Sequence, residues 1–207
     1  MKKKLIIFAI FFVLFLLTTL FVYQNSALSL QEVKIISTVQ DVLKEVTLSI
    51  AKFITYFGHE QNWFYAVVCA TAILLICRKI KEAFIYIFAL HFSTFIYSSI
   101  KDIILRPRPP IDMRLIEASN TSFPSGHSTT SMVTYGLLIY FVYKYVKNKI
   151  LRNTLIALLS TLILLVGFSR VWVGVHFPTD VIGGFSLGIC IICVFAIVNE
   201  VKLPFTK

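Results

Sequence analysis

The sequence has few charged residues and few cysteines. Charged side chains make up 14% of the 207 residues, where an ordinary soluble domain carries about 25%. A chain so poor in charge, and 57% hydrophobic, is neither intrinsically disordered nor a soluble coiled coil. Its four cysteines all lie inside apolar runs, which excludes a secreted disulfide scaffold. With these classes excluded, the composition predicts an all-α integral membrane protein. The length predicts a single domain over residues 1–207.

Acidic residues are also scarce, since ten of them oppose twenty basic residues and leave a net charge of +10. In a soluble protein this excess would suggest nucleic-acid binding. In a membrane protein, Lys and Arg in cytoplasmic loops set the orientation of the chain. We therefore expect the bilayer, and no nucleic acid, as the partner of these basic residues.

Six apolar runs predict a bundle of six transmembrane helices. They cover about residues 5–23, 63–77, 83–100, 128–143, 154–168 and 181–198. The first run follows three lysines and is longer than the apolar part of a secretory signal peptide, so we interpret it as a retained span. In the last run, Gly184 and Gly188 predict a face for close helix packing.

The distribution of basic residues predicts that both termini are cytoplasmic. With that orientation the inner segments are residues 1–4, 78–82, 144–152 and 199–207. They hold 12 of the 20 basic residues, namely Lys2, Lys3, Lys4, Arg78, Lys79, Lys81, Lys144, Lys147, Lys149, Arg152, Lys202 and Lys207. Short inner loops rich in Lys and Arg are typical of membrane proteins.

An amphipathic helix is predicted between the first and second spans, over about residues 38–57. Apolar residues recur there at steps of three and four, with charged and amide residues between them: Val39, Val42, Leu43, Val46, Ile50, Phe53, Ile54 and Phe57. Such a helix lies in the membrane interface. We favour a connector on the outer surface, and the alternative is a lid or guide for a lipid entering from the outer leaflet.

Three segments on the side opposite the Lys-rich loops carry the polar residues that predict a phosphate site. Lys101, Arg108 and Arg170 fall at the outer ends of different helices, and converging cations bind a multiply charged anion. Ser125 stands at the N-cap position of span four, and Gly126 allows a ligand to approach the backbone closely. The first turn of that helix then offers its N–H groups to an anion.

Two histidines and an aspartate add reactive groups to this site. Asp180 follows His176 by four residues, close enough to hold one ring nitrogen and leave the other as a nucleophile. His127 adjoins the predicted phosphate site and is suited to protonate a leaving oxygen. The combination suits phosphoryl transfer in two steps through a phosphohistidine. The sequence has no carboxylate cluster typical of Mg²⁺ or Ca²⁺ sites, so we expect neither a metal ion nor another cofactor.

The order and spacing of these residues resemble the motifs of the type-2 phosphatidic acid phosphatases, membrane lipid phosphatases related to glucose-6-phosphatase and the vanadium haloperoxidases. Six residues separate Lys101 from Arg108-Pro109, and Pro124-Ser125-Gly126-His127 follows. Five residues then separate Ser169-Arg170 from His176, and three residues separate His176 from Asp180. The motifs span residues 101–180, and the six-span layout extends the resemblance over most of the chain.

The resemblance implies roles for the same residues. It implies that His176 is the nucleophile, that Asp180 orients it and that His127 protonates the leaving group. It also implies a metal-independent reaction on a lipid phosphate, with the phosphate bound by Lys101, Arg108, Ser125, Gly126 and Arg170.

We therefore expect a lipid phosphatase at the outer face of a bacterial cytoplasmic membrane. Phosphatidylglycerol phosphate is the favoured substrate, with undecaprenyl pyrophosphate as the next alternative and phosphatidic acid as the third. Arg106 lies beside Arg108, and its spacing suggests that it serves a second phosphate. The sequence gives no indication of oligomeric state.

Two other functions compete with the phosphatase. One is a lipid phosphate binder or transporter without catalysis, but binding needs only the cations and would not need His127, His176 and Asp180 together. The other is a membrane-anchored haloperoxidase that uses bound vanadate. Relatives with that chemistry are soluble, whereas this chain is mostly lipid-facing, and here we expect vanadate to inhibit as a transition-state mimic.

Overall fold

The computed structural model describes residues 1–24, 28–43, 48–58, 60–119 and 121–201. Over these ranges the chain is helical and contains no β-strand. The helices are α1 (Lys2–Gln24), α2 (Leu28–Val42), α3 (Leu48–Tyr56), α4 (Glu60–Ile76), α5 (Ile80–Ile104), α6 (Gly126–Tyr145), α7 (Lys149–Trp172) and α8 (Pro178–Glu200), with a 3₁₀ turn at Ile111–Met113. The predicted all-α fold is confirmed.

Each of the six predicted spans lies in one of these helices, namely α1 and α4 to α8. Four of them, α1, α5, α7 and α8, are long and apolar enough to cross a membrane by length and composition. The apolar part of α4 is shorter, at Phe64–Ile76. Helix α6 begins with six residues of which four carry hydroxyl groups, and this lowers its hydropathy. Those four, at 128–131, are buried against other helices, so the polarity of α6 faces the protein interior.

Helix α8 packs against α1, α5, α6 and α7 and forms the centre of the bundle. A Cβ atom at Gly184 would lie 2.8 Å from the carbonyl oxygen of Ser125, so the two helices approach each other at this glycine. The backbone N–H of Ser125 donates to the carbonyl of Asp180 at 3.0 Å. The close approach therefore fixes the first turn of α6 beside the first turn of α8, where the predicted catalytic residues lie.

Two helices occupy the region where a single amphipathic helix was predicted over 38–57. Helix α2 begins ten residues earlier than predicted, at Leu28, and residues 44–47 lie outside the described ranges. Ile36 of α2 packs against Val171, Phe177 and Val181, and Gln40 donates to the carbonyl oxygens of two residues outside α2, Met113 at 2.9 Å and Trp172 at 3.0 Å. Helix α3 packs on α7. One face of this region is thus tied to the bundle.

The other end of the bundle collects lysines and two acidic residues. Lys4 forms an ion pair with Glu200 at 2.5 Å, and Glu82 accepts hydrogen bonds from Lys144 and Tyr145. These residues belong to α1, α5, α6 and α8. Of the lysines used to predict orientation, Lys202 and Lys207 lie outside the described residues.

Candidate active site

The three predicted polar segments meet at one end of the bundle, at a cavity of about 1060 Å³. The C-terminal end of α5, the N-terminal end of α6 and the connection from α7 to α8 form its walls. Six of the eight predicted site residues line this cavity: Lys101, Arg108, Gly126, His127, Arg170 and His176. The other two, Ser125 and Asp180, are fully buried next to it. The structure therefore brings together all eight residues.

His176 and Asp180 form a buried pair. The Nδ1 atom of His176 lies 3.3 Å from Oδ2 of Asp180, and the imidazole is only 2% exposed. The same carboxylate oxygen accepts from the backbone N–H of Phe177 at 2.9 Å, which fixes the carboxylate at the start of α8. When the Nδ1–H group donates a hydrogen bond to Asp180, Nε2 carries the lone pair of the imidazole. Nε2 lies 3.2 Å from the Nη1 atom of Arg108, a cation that lines the cavity.

A glycine shapes the turn that presents His176. Gly174 has a φ of +70°, a conformation that side chains with a Cβ rarely adopt. A Cβ at this position would also lie 2.1 Å from the carbonyl oxygen of Met113. The turn continues with backbone bonds from the N–H groups of Val175 and His176 to the carbonyl of Arg170, which place His176 close to the end of α7.

The environment of His176 favours the neutral imidazole. Burial lowers the pKa of His176 well below its usual value, and the positive charges of Arg108, Arg170 and Lys101 lower it further. Only the neutral ring has a lone pair with which to attack phosphorus. The site therefore favours, at neutral pH, the form of His176 that has a lone pair on one ring nitrogen.

Neutral oxygens accept hydrogen bonds from all three cations, and Arg108 donates to the carbonyl oxygens of Ser119 at 2.9 Å and Val175 at 2.8 Å. Lys101 Nζ donates to the carbonyl oxygens of Thr121 at 2.6 Å and Ser122 at 3.3 Å. Arg170 Nη1 donates to the hydroxyl of Thr55 at 2.5 Å. Within the described part of the chain, neither Lys101 nor Arg170 forms an ion pair with a carboxylate. The buried Nε atom of Arg170 has no hydrogen-bond partner there. This arrangement leaves positive charge and a donor available for an anion.

The N-terminal end of α6 adds backbone N–H groups to the cavity. Ser125 is the N-cap residue, and its hydroxyl oxygen accepts from the backbone N–H and the hydroxyl of Ser128, at 3.4 and 3.0 Å. Gly126 and His127 follow in the first turn and line the cavity. The N–H groups of a first helical turn have no carbonyl partner within the helix, and the helix dipole adds positive potential there. On its other side His127 contacts Gly58, where a Cβ would lie 3.1 Å from the imidazole.

Arg106 does not occupy the position that its spacing suggested. It is buried, does not line the cavity, and donates to Oδ1 of Asp180 at 2.5 Å. Its second nitrogen donates to Glu32 of α2, also at 2.5 Å. Arg106 therefore lies behind Asp180, whereas Arg108 lies in front of His176. A role for Arg106 in holding a second phosphate is wrong for this geometry.

Two further residues reach the site from outside the predicted motifs, Thr55 of α3 and Glu32 of α2. The amphipathic pattern of these helices suggests that their polar residues are exposed to solvent. Both are buried, at 8% and 4% exposure. Only the packing of α2 and α3 on the bundle brings them to the site, so the pattern alone gave no signal for them.

The fold and the site define a class: a helical membrane protein with a buried histidine–aspartate pair at a cavity lined by cationic side chains. The chain belongs to the PAP2 superfamily, whose model matches residues 82–202 and thus includes all three motifs. Within the described residues no group of three or more His, Cys, Asp or Glu side chains forms a metal site.

Curated relatives are phosphatases. The chain is 30% identical over 180 residues to phosphatidylglycerophosphatase B of Bacillus subtilis, covering 86% of this chain and 87% of the relative. It is 32% identical over 103 residues to undecaprenyl-diphosphatase BcrC of the same species, covering 48% of each chain. The lipid phosphate phosphatase delta of Arabidopsis thaliana is 27% identical over 120 residues, which is 53% of this chain and 29% of that relative.

Solved structures share the architecture. A crystal structure of a transmembrane PAP2-type phosphatidylglycerolphosphate phosphatase from Bacillus subtilis matches with a TM-score of 0.81, 25% identity and full coverage of both chains. LpxE of Aquifex aeolicus matches with a TM-score of 0.65 and 25% identity, covering 84% of this chain and 97% of the other. The protein is therefore a PAP2 phosphatase with membrane helices, and its family acts on lipid phosphates.

Proposed function

We propose that this protein removes the terminal phosphate of phosphatidylglycerol phosphate through a phosphohistidine at His176, without a metal ion. One observation carries the mechanism: the buried His176–Asp180 pair, whose Nε2 atom points to Arg108 in the cation-lined cavity. The likeness to phosphatidylglycerophosphatase B over most of both chains supports the substrate.

In the first step, Nε2 of His176 attacks phosphorus and forms a P–N bond while the bond from phosphorus to the lipid oxygen breaks. Asp180 accepts the Nδ1–H hydrogen bond and stabilises the positive charge that develops on the imidazole. His127 donates a proton to the departing oxygen, which leaves as the lipid alcohol. The non-bridging oxygens are held by Lys101, Arg108, Arg170 and the first turn of α6, where Ser125 and Gly126 lie.

In the second step, water attacks the phosphohistidine. His127, neutral after the first step, accepts a proton from this water as the O–P bond forms. The P–N bond breaks, the electron pair returns to Nε2, and inorganic phosphate leaves. His176 and His127 are then restored to their starting protonation states, so the cycle needs no further reactant.

We also propose that the chain is a single domain of six membrane spans with both termini in the cytoplasm. The two ends of the bundle support this orientation, because Lys4, Lys81 and Lys144 gather at the end opposite the cavity. The cavity then opens at the extracytoplasmic face of a bacterial membrane. Helices α2 and α3 lie at that face, and we assign them to the interface between bilayer and water.

Undecaprenyl pyrophosphate is the second candidate substrate. The likeness to undecaprenyl-diphosphatase BcrC favours it, although that likeness covers about half of each chain. The apolar residues Ile111, Leu115 and Ile116 line the cavity beside the cations, and they suit the first carbons of either lipid.

Phosphate release in excess EDTA tests this function. Detergent-purified protein is given phosphatidylglycerol phosphate, undecaprenyl pyrophosphate, phosphatidic acid and a water-soluble phosphate ester, with His176→Ala as the inactive variant. We expect release that survives EDTA and is about tenfold or more faster for phosphatidylglycerol phosphate than for the soluble ester, since lipid binding adds to transition-state stabilisation.

Three results would contradict the proposal. Loss of all activity in EDTA, restored by a divalent cation, would show that the reaction needs a metal. Faster turnover of undecaprenyl pyrophosphate would transfer the assignment to that substrate. Tight lipid phosphate binding with no release from any lipid would instead indicate a binding or transport protein.

A further inference from the structure

A chain of buried charges extends from the nucleophile to helix α2. His176 contacts Oδ2 of Asp180, and Oδ1 of the same carboxylate accepts from Nη1 of Arg106. The other nitrogen of that guanidinium, Nη2, donates to Oε2 of Glu32 at 2.5 Å. Glu32 lies in α2, outside the residues 82–202 that match the superfamily model.

Glu32 also holds the beginning of α8. Its second oxygen, Oε1, accepts from the backbone N–H of Thr179 at 2.9 Å and from the hydroxyl of the same residue at 2.6 Å. That hydroxyl accepts in turn from Arg106 at 2.8 Å. A carboxylate at a helix N-terminus is favourable because of the helix dipole. The turn from which Asp180 projects is thus fixed by the same side chain that fixes Arg106.

Burial makes these contacts interdependent. Glu32, Arg106 and Asp180 are 4%, 9% and 0% exposed, and a buried charge that loses its partner is strongly destabilised. Arg106 stands between the two carboxylates and also lies over the ring of Phe177, 4.3 Å from its centre. Without Glu32, the guanidinium would carry an uncompensated positive charge directly behind Asp180.

We propose that Glu32 is a positioning residue for the reaction, acting on His176 through Arg106 and Asp180. By binding Arg106, Glu32 holds the guanidinium on one oxygen of Asp180 and leaves the other oxygen for the imidazole. By neutralising Arg106, it preserves the negative charge that Asp180 presents to the imidazolium in the transition state. Helix α2 is therefore part of the machinery, and this inference depends on the proposed role of His176 as nucleophile.

Charged groups reach His176 from α5, from the segment after α5, from α7 and from α8. The cations are Arg108 from the segment after α5, Arg170 from α7 and Lys101 from α5, and Asp180 of α8 is the acidic group. His127 of α6 lines the same cavity. Positive charges dominate this set, and among the described residues Asp180 supplies the one carboxylate that contacts Nδ1. An uncompensated positive charge on Arg106 would therefore weaken the stabilisation that Asp180 gives to the imidazole.

The variant Glu32→Gln tests the proposal. The amide keeps the size of the side chain and an oxygen for Thr179, but its NH₂ group faces Arg106, which has only donors. We expect kcat to fall by about tenfold, since small displacements of reacting groups cost about this much or more. We expect KM to change by less than about twofold, because Glu32 does not line the cavity. Asp41→Asn, the same change at an exposed position of α2, is the matched control.

A double variant distinguishes action through Arg106 from a general loss of structure. Arg106→Gln alone leaves two carboxylates without the cation between them, and we expect a loss of kcat of about 100-fold. Adding Glu32→Gln removes one of those carboxylates, so the double variant is expected to be no slower than Arg106→Gln. Independent effects would instead multiply the two losses.

Three outcomes would overturn the proposal. They are a kcat for Glu32→Gln within about twofold of the unchanged protein, a loss confined to KM, or a further tenfold loss when the change is added to Arg106→Gln. If Glu32→Gln does not yield folded protein, Glu32→Asp replaces it, because the shorter side chain keeps the charge but withdraws it from Arg106. Activity retained by His176→Ala would refute the proposed function itself, independently of these results.

Discussion

We expect replacement of His176 by alanine to lower phosphate release by about 10⁴-fold or more, because the variant lacks the group that we propose forms the P–N bond. The expected loss is in kcat. Lys101, Arg108 and Arg170 remain, so the variant still binds inorganic phosphate or vanadate. The measurement is phosphate release from phosphatidylglycerol phosphate, together with inhibitor binding to the same preparation.

His91→Ala is the matched control for this change. His91 lies in α5, and its Nδ1 atom is 2.9 Å from the backbone carbonyl of Ile87. It does not line the cavity, so its replacement is expected to leave kcat within about twofold. More than a tenth of the activity remaining in His176→Ala would contradict the assignment of the nucleophile.

Replacing His127 by glutamine has an effect that depends on the leaving group. An alkyl oxygen needs a proton in order to leave, so we expect loss of the proposed general acid to lower turnover of lipid substrates by about 10²- to 10⁴-fold. A p-nitrophenolate leaves without a proton, so formation of the phosphohistidine from p-nitrophenyl phosphate is expected to slow much less. Single-turnover measurements of p-nitrophenolate and lipid alcohol release compare the two substrates.

The contrast between substrates identifies the role of His127. An equal loss for both leaving groups would mean that His127 binds the phosphate or maintains the site, and would contradict its role as an acid. The variant also lacks the base for the second step, so the phosphohistidine formed from p-nitrophenyl phosphate is expected to accumulate. A burst of p-nitrophenolate close to one equivalent per protein is the sign of that accumulation.

The positions of α1 and of α4 to α8 followed from the sequence because apolar runs mark them directly. Their ends did not, since α5 extends past its apolar run to Ile104 and includes Lys101. Polar residues at these ends face the cavity or other helices, and hydropathy cannot distinguish them from residues in a loop. The same limit applies to α6, where buried hydroxyl groups at residues 128–131 make a packed helix appear polar.

That the eight predicted site residues converge at one cavity was predictable, because their types and spacing together are typical of one chemistry. The positions of Arg106 and Glu32 were not, because each depends on a partner far away in the chain. Arg106 follows Leu105, whose φ of +51° ends α5 in a left-handed turn and redirects the chain. In the sequence Arg106 adjoins the phosphate-binding motif, but in the fold it faces Asp180 and Glu32.

Trapping the covalent intermediate tests the central claim most directly. Protein with His127→Gln is mixed with ³²P-labelled p-nitrophenyl phosphate and quenched in alkali, where a phosphohistidine is stable, and a parallel sample is treated with acid, which hydrolyses it. We predict alkali-stable, acid-labile label on the peptide that contains His176, and none when His176 is also replaced by alanine. Phosphate released during the same interval with no labelled protein at any time, or label on another residue, would contradict the phosphohistidine mechanism.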